Sequence, residues 1–242
     1  MSEFIFRPDT SDSWVFEEIY TRNEYRLPDN LSPHDVVIDV GAHIGIFARA
    51  VLERGCRRVF SVEADSENYA LAAGNLKSYL EEGLVSLAHA AVWRSDGNDD
   101  VLRFSGYPAC GQVTNTGGGD VIWSEDGPLV PKIAFDELMH EAALNGNGRV
   151  RLVKLDCEGS EWPILYTSET LHLAEEICGE FHEIGGAGDP RRSPYSIRGQ
   201  DTFTAPQLAR LLESNGFHVC FYYHSPGSRR GMFFAKRVCS IE

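Results

Sequence analysis

The chain has 242 residues, 43% hydrophobic and 24% charged, a balance expected of a soluble globular protein large enough to bury a substantial core. Its formal net charge of −14 and pI near 5.0 argue against a protein that grips nucleic acid through sequence-independent phosphate contacts, a local basic patch aside. No apolar run approaches the roughly 18 residues needed to cross a bilayer, so no membrane partner is expected.

The start, MSEFIFRPDTSDSW, has neither a basic n-region nor a continuous apolar h-region, and no secretion signal is read there. The six cysteines (Cys56, Cys110, Cys157, Cys178, Cys220, Cys239) form no CxxC pair. They point to a reduced, cytoplasmic protein, not a disulfide scaffold or zinc site.

Residues 1–35 read as an N-terminal extension with a helix around Trp14 to Tyr20, whose exposed-looking Trp14 and Phe16 offer a homodimer contact. Residues 36–242 then alternate strand and helix signals, and with no internal repeat or long linker the chain reads as one domain. Val36 to Val40 is a short β-branched strand, followed by a glycine turn and a helix from Ile44 to Arg54. Arg58 to Glu63 is the next strand, and a helix from Ser66 to Leu80 places Tyr69, Ala72, Ala73 and Leu76 on one face. Val85 to Val92 reads as a third strand. Residues 95–131 are glycine-rich, with a GGG run at Gly117 to Gly119, and are too long for an ordinary connection, so they are expected to be a functional insertion or lid.

Ala134 to Ala143 follows as a helix. The run from Val150 is a buried strand that ends in Lys154-Leu155-Asp156-Cys157-Glu158-Gly159-Ser160-Glu161-Trp162, with a short helix to Thr167. Glu175 to His182 is another strand, and Gly185 to Phe203 a second polar loop. Thr204 and Gln207 form a capping box for a helix ending at Asn215-Gly216. Phe217 to Tyr223 and Gly231 to Lys236, joined by a turn at Ser225-Pro226-Gly227, close the chain. Five β-α units and a closing pair of strands predict an α/β, doubly wound, mostly parallel sheet with helices on both faces.

The first chemical motif is Asp39-Val40-Gly41-Ala42-His43-Ile44-Gly45, a DxGxxxG turn between a strand and a helix. His43 stands where the dinucleotide fingerprint GxGxxG needs glycine, which weakens a pyrophosphate reading. Glu63 ends the second strand about 20 residues downstream, where an acid accepts the two hydroxyls of a ribose. An adenosine ligand without phosphates suits this pair, and S-adenosylmethionine (SAM) is the obvious candidate.

In a doubly wound sheet, ligands bind outside the carboxyl ends of the strands. Asp39, Glu63, Asp156, Glu158 and His182 all fall at such ends. His182 suits a general base, since an unperturbed imidazole titrates near 6.5, with Glu158 or Glu180 assisting; the alternative is a histidine satisfied at the sheet edge. Asp156 faces a cationic cofactor, whereas Glu161 suits a helix start and Lys154 suits pairing with a neighbouring acid.

Asp156, Glu158 and His182 could hold magnesium, but no spacing signature demands it and no metal is expected. Arg191, Arg192 and Arg198 could clamp an acceptor anion or form a solvated loop. Trp162, Trp123, Tyr195 and Phe203 either line an apolar pocket or pack.

The segments Val37 to Ala48, Val59 to Leu76, Ile133 to Leu138, Leu152 to Leu165 and Gly179 to Glu183, in this order, resemble the FkbM-type SAM-dependent methyltransferases, over roughly residues 35 to 223. The resemblance implies a class I, Rossmann-like methyltransferase fold: a doubly wound seven-stranded sheet with an antiparallel last strand. It implies that Asp39, Gly41 and Gly45, with Ala42 and His43 between them, lie at the methionine end of SAM. Glu63 then holds the ribose with Ala64 beside it, and Ala91 and Val92 flank the adenine. Asp156 faces the sulfonium and Glu158 the acceptor, beside which Trp162 is read, from its residue type alone, as a candidate substrate contact.

The implied activity is O-methylation of a hydroxyl on a natural product or sugar-like small molecule in secondary metabolism, with S-adenosylhomocysteine as coproduct. N-methylation, a non-catalytic SAM-binding regulator and a nicotinamide oxidoreductase are the alternatives, the last disfavoured by His43.

Overall fold

The computed structural model describes residues 4–97, 100–106, 114–121, 126–185, 197 and 199–238. The chain opens with a short helix α1 (Asp12–Phe16) that runs directly into a π-helical turn (Glu17–Thr21). Strand β1 (Val36–Val40), helix α2 (Ile46–Glu53), strand β2 (Arg58–Glu63), helices α3 (Ser66–Asn75) and α4 (Lys77–Glu81) and strand β3 (Val85–His89) follow. The short strands β4 (Ala91–Trp93), β5 (Val101–Arg103), β6 (Ser105–Gly106) and β7 (Gly119–Asp120) lead into β8 (Leu129–Ala134) and α5 (Phe135–Asn145). The last section comprises β9 (Val150–Leu155), α6 (Glu161–Thr167), β10 (Ala174–His182), α7 (Ala205–Ser214), β11 (Phe217–Tyr223) and β12 (Arg230–Arg237).

Among the described residues, seven strands form one sheet in the order β11-β12-β10-β9-β1-β2-β3. β3, β2, β1, β9 and β10 run parallel, and β12 is antiparallel to both of its neighbours. This is the doubly wound, mostly parallel arrangement with an antiparallel last strand that the sequence predicts. Every residue of β1 is buried, as expected for a central parallel strand covered on both faces. Chain order reverses between β1 and β9, so the crevice above their carboxyl ends is the place for a ligand. No helix among the described residues is long and apolar enough to cross a membrane.

Three elements differ from the sequence reading. α2 begins at Ile46, not Ile44, because His43 (φ +52°) and Gly45 (φ +86°) hold left-handed backbone that a right-handed helix cannot include. The long helix after β2 breaks at Leu76, which leaves helical ψ while its fully buried side chain packs beneath the glycine turn. The single third strand is two. Ala90 donates its N–H to the Glu63 carbonyl at 3.0 Å, and past that point β4 leaves the main sheet to join a smaller one ordered β4-β8-β5. The capping box is present: Thr204 and Gln207 satisfy each other's backbone at the start of α7.

The N-terminal segment is packed tightly onto the rest. The Ile5 N–H donates to Asn75 at 2.8 Å, and the Tyr20 hydroxyl donates to Glu53 at 3.0 Å. Trp14 is 56% exposed, whereas Phe16 is half-buried between Phe4, Phe6 and Tyr20. Cys56, Cys157, Cys178 and Cys220 carry free thiols.

Candidate active site

The turn after β1 is built against β9. Gly41 has φ +76°, and a Cβ there would sit 1.9 Å from the Asp156 carbonyl oxygen, so only glycine fits. Asp39 and Lys154 are facing partners on β1 and β9. Lys154 Nζ lies 3.2 Å from Asp39 Oδ1 and donates to the carbonyls of Val40 (3.2 Å) and Gly41 (2.5 Å). Both side chains are buried. Burial pushes the Asp39 carboxyl upward, and the Lys154 ammonium opposes the shift. This pair locks the turn from behind.

Glu63 reaches from the end of β2 across the same turn. It accepts the His43 N–H at 2.7 Å and the Asp65 N–H at 2.8 Å. Burial raises its carboxyl to about 7, against the pull of these two donors.

A cleft opens over the turn. Gly41, Ala42, His43, Glu63, Ala64, Ala91, Val92 and Asp156 line it. The glycine-rich region contributes Phe104, Thr116, Gly117 and Val121, and the N-terminal segment contributes Val15, Ile19 and Tyr25. A buried polar network ties the rim. Asp12, with no exposed surface, takes the Arg7 guanidinium on both oxygens (2.8 and 3.0 Å) and the Thr116 hydroxyl at 2.7 Å. His43 Nε2 meets Thr116 at 2.9 Å and Asp12 at 3.3 Å. Tyr25 donates its hydroxyl to Asp156 at 2.6 Å.

Beyond Asp156 stands a second group. Glu158, in left-handed backbone (φ +52°), places Oε2 3.1 Å from His182 Nε2. Glu180 lies 3.7 Å from the same nitrogen and takes His224 at 2.8 Å. Glu161 lies 3.3 Å from His182 Nδ1. Burial alone would lower the His182 pKa, but the charges of Glu158, Glu161 and Glu180 raise it to about 10. Burial raises Glu158 to about 7, and His182 limits the shift. A non-glycine residue held at positive φ is strained backbone, and such strain gathers at functional sites. Asp156, Glu180 and His182 also offer ligand atoms within 4.8 Å of one another, a spacing that a divalent ion could bridge.

The donor set fits an adenosyl sulfonium. Glu63 suits a diol, while Ala64, Ala91, Val92 and Phe104 suit a flat ring. Asp156 suits positive charge. His43 Nδ1 is buried with no hydrogen-bond partner among the described residues. A sequence model of the Methyltransferase FkbM domain matches residues 39–219. The chain belongs to the FkbM methyltransferase family.

It is therefore a SAM-dependent methyltransferase. Among solved structures the chain is similar to the methyltransferase FkbM from Methylobacillus flagellatus KT, with 13% identity, a TM-score of 0.51, and coverage of 91% of this chain and 47% of that one. The chain thus spans about half the length of that FkbM protein. It is also similar to the N-terminal domain of EvdMO1 with SAH bound (12% identity, TM-score 0.48, covering 84% and 75%). A third is precorrin-6y C5,15-methyltransferase from Geobacter metallireducens GS-15 (14% identity, TM-score 0.43, covering 98% and 95%). At these identities the likeness is one of fold. No curated protein matches the sequence.

The FkbM chain gathers most of the residues its sequence singles out, but in three layers. Eight line the cleft. Asp39 and Gly45 stand behind it, Asp39 against Lys154 and Gly45 at the start of α2 against Leu76. Glu158 and His182 stand beyond Asp156. Trp162 is fully buried, stacks on Phe203 at 5.4 Å and donates its indole N–H to the His182 carbonyl at 2.6 Å. Arg191, Arg192, Arg198, Trp123 and Tyr195 lie outside the described residues. The sequence reading missed Tyr25, Asp12 and Thr116, which no local pattern marks. It also missed the contact between Glu161 and His182, although Glu161 lies only three residues after Glu158.

Proposed function

We propose that this FkbM methyltransferase methylates a hydroxyl group of a small-molecule acceptor. The observation that carries this reading is Asp156, which lines the cofactor cleft and is also within 4.8 Å of the ligand atoms of Glu180 and His182. Cofactor and proton-handling groups thus share one wall.

When bound, SAM supplies an electrophilic methyl on a positively charged sulfonium. The chain's own residues do the rest. The turn at Gly41 to His43 and the carboxylate of Glu63 orient the adenosyl group. Asp156, fixed by Tyr25, presents negative charge towards the sulfonium. Holding the two reactants in line supplies a large share of the rate.

A hydroxyl must shed its proton as it attacks, whereas a neutral amine attacks through a lone pair. A built proton acceptor therefore favours oxygen over nitrogen. The sequence nominates His182 as that acceptor. With its pKa near 10, His182 is already an imidazolium at neutral pH, and in this proposal the role moves to Glu158, poised near 7. His182 then orients the Glu158 carboxylate.

Two measurements test the reading. Calorimetry is expected to show binding of SAM and S-adenosylhomocysteine but not NAD. Glu63→Gln is expected to weaken SAM by about 10- to 100-fold, the worth of hydrogen bonds to a charged acceptor; unchanged affinity would remove Glu63 from the cofactor site. Mass spectrometry over alcohol, phenol, sugar and amine panels then reads the acceptor. Transfer confined to amines would overturn the hydroxyl assignment. Activity that disappears in excess EDTA would show a dependence on a divalent metal, for which Asp156, Glu180 and His182 are the candidate ligands.

A further inference from the structure

We propose that Glu161 is a positioning residue for methyl transfer: it fixes the His182 ring so that the Nε2 edge faces Glu158 and the acceptor. The inference rests on the proposed role of Glu158 and His182 at the reaction centre, and it assigns work to a carboxylate that reads in the sequence as part of a helix start.

Glu161 has no exposed surface, and both of its oxygens are committed. Oε1 accepts the Cys157 N–H at 3.0 Å and lies 3.3 Å from His182 Nδ1, and Oε2 accepts the Gly159 N–H at 2.8 Å. The carboxylate therefore cannot swing away without breaking backbone bonds of the very turn that carries Asp156 and Glu158. The next residue adds a second anchor, because the Trp162 indole holds the His182 carbonyl at 2.6 Å. Ring and backbone of His182 are thus both held from the first turn of α6.

With Nδ1 given to Glu161, only Nε2 remains to face Glu158. It is buried and meets Glu158 at ion-pair distance without hydrogen-bond alignment. A hydrogen bond from one ring nitrogen sets which face of an imidazole works and how the ring is turned. A plain capping carboxylate would satisfy Cys157 and Gly159 without approaching β10 at all.

The test compares Glu161→Gln with Glu161→Ala in the full chain. Glutamine keeps similar bulk and one carbonyl oxygen for the Nδ1–H and the Cys157 N–H, giving up only the acceptor at Gly159, whereas alanine keeps none of them. Glu161→Ala is expected to lower kcat by about 100-fold, the cost of misplacing a reacting group by an ångström, with SAM affinity by calorimetry unchanged. Glu161→Gln is expected to recover most of that loss.

Nitrogen-15 NMR of the His182 imidazole gives a readout that needs no acceptor. A single protonated Nδ1 environment is expected in the parent and in Glu161→Gln, and an altered, averaged ring signal in Glu161→Ala. An Ala variant with unchanged kcat would overturn the proposal. So would an unchanged ring signal in Ala, or a Gln variant as impaired as Ala with the ring signal intact. If the alanine variant does not fold, the ring signal and kcat of Glu161→Gln decide alone. Should the parent bind SAM yet methylate no hydroxyl, the proposed function fails while the NMR comparison still reports on Glu161.

Discussion

Glu158→Gln is expected to lower kcat by about 10²- to 10⁴-fold, the usual worth of a general base, while SAM binds as before. Glutamine keeps the size of the side chain and inherits the same left-handed backbone, so the change isolates the loss of the basic oxygen. The pH profile adds an independent check. Burial raises the Glu158 carboxyl to about 7, with His182 opposing the rise. The basic form therefore accumulates as pH climbs through 7. The rate of the parent should rise with pH below that point and level off above it, and this limb should vanish in the glutamine variant. A limb centred near 10, the value for His182, would return the role of base to the histidine. Equal rates in the two proteins would remove Glu158 from the chemistry.

Lys154→Met carries the largest expected cost in stability. It leaves Asp39 buried with no opposing charge and frees the carbonyls of Val40 and Gly41 that the ammonium serves. Removing one partner of a buried pair costs about 3–5 kcal/mol. For a chain of this length each kcal/mol is worth about 2–4 °C in Tm, so a drop on the order of 10 °C should appear by calorimetry.

The sign with pH follows from Asp39. Burial pushes its carboxyl upward and Lys154 holds it back. Without Lys154 the acid takes up a proton more readily, and the deficit should shrink as pH falls. The double variant Asp39→Asn, Lys154→Met should recover part of the loss, because the unpaired charge is gone. A single variant within about 1 kcal/mol of the parent would show that the pair is dispensable.

Much of this architecture is legible in the sequence because its signals are local. The buried parallel strands announce themselves as apolar runs, and the acids at their ends follow directly. Glycine marks the turn after β1 because the Asp156 carbonyl leaves room for nothing larger. Other features depend on distance in the chain or on a single bond. The division of the third strand into β3 and β4 turns on Ala90, an alanine among apolar neighbours, and on its bond to the Glu63 carbonyl. The π-helical turn and the small β4-β8-β5 sheet leave no pattern of period two or 3.6.

At the site, sequence spacing places Asp156, Glu158 and His182 near one another but cannot assign protons among them. That depends on three carboxylates crowding one buried imidazole. Asp12 closes on Thr116 across 104 residues and Tyr25 on Asp156 across 131, and neither separation is visible to local periodicity.

The reach of Tyr25 also sets a timetable for the nascent chain. Tyr25 is made early, but its partner Asp156 follows 131 residues later. At synthesis speeds of about 5–20 residues per second, the arm waits on the order of ten seconds before it has anything to close on. Helices and hairpins form in microseconds, so the strands and helices made in between have ample time to assemble. The closure of Tyr25 on Asp156 is thus a late step, and SAM, by binding the closed form, would pull it to completion.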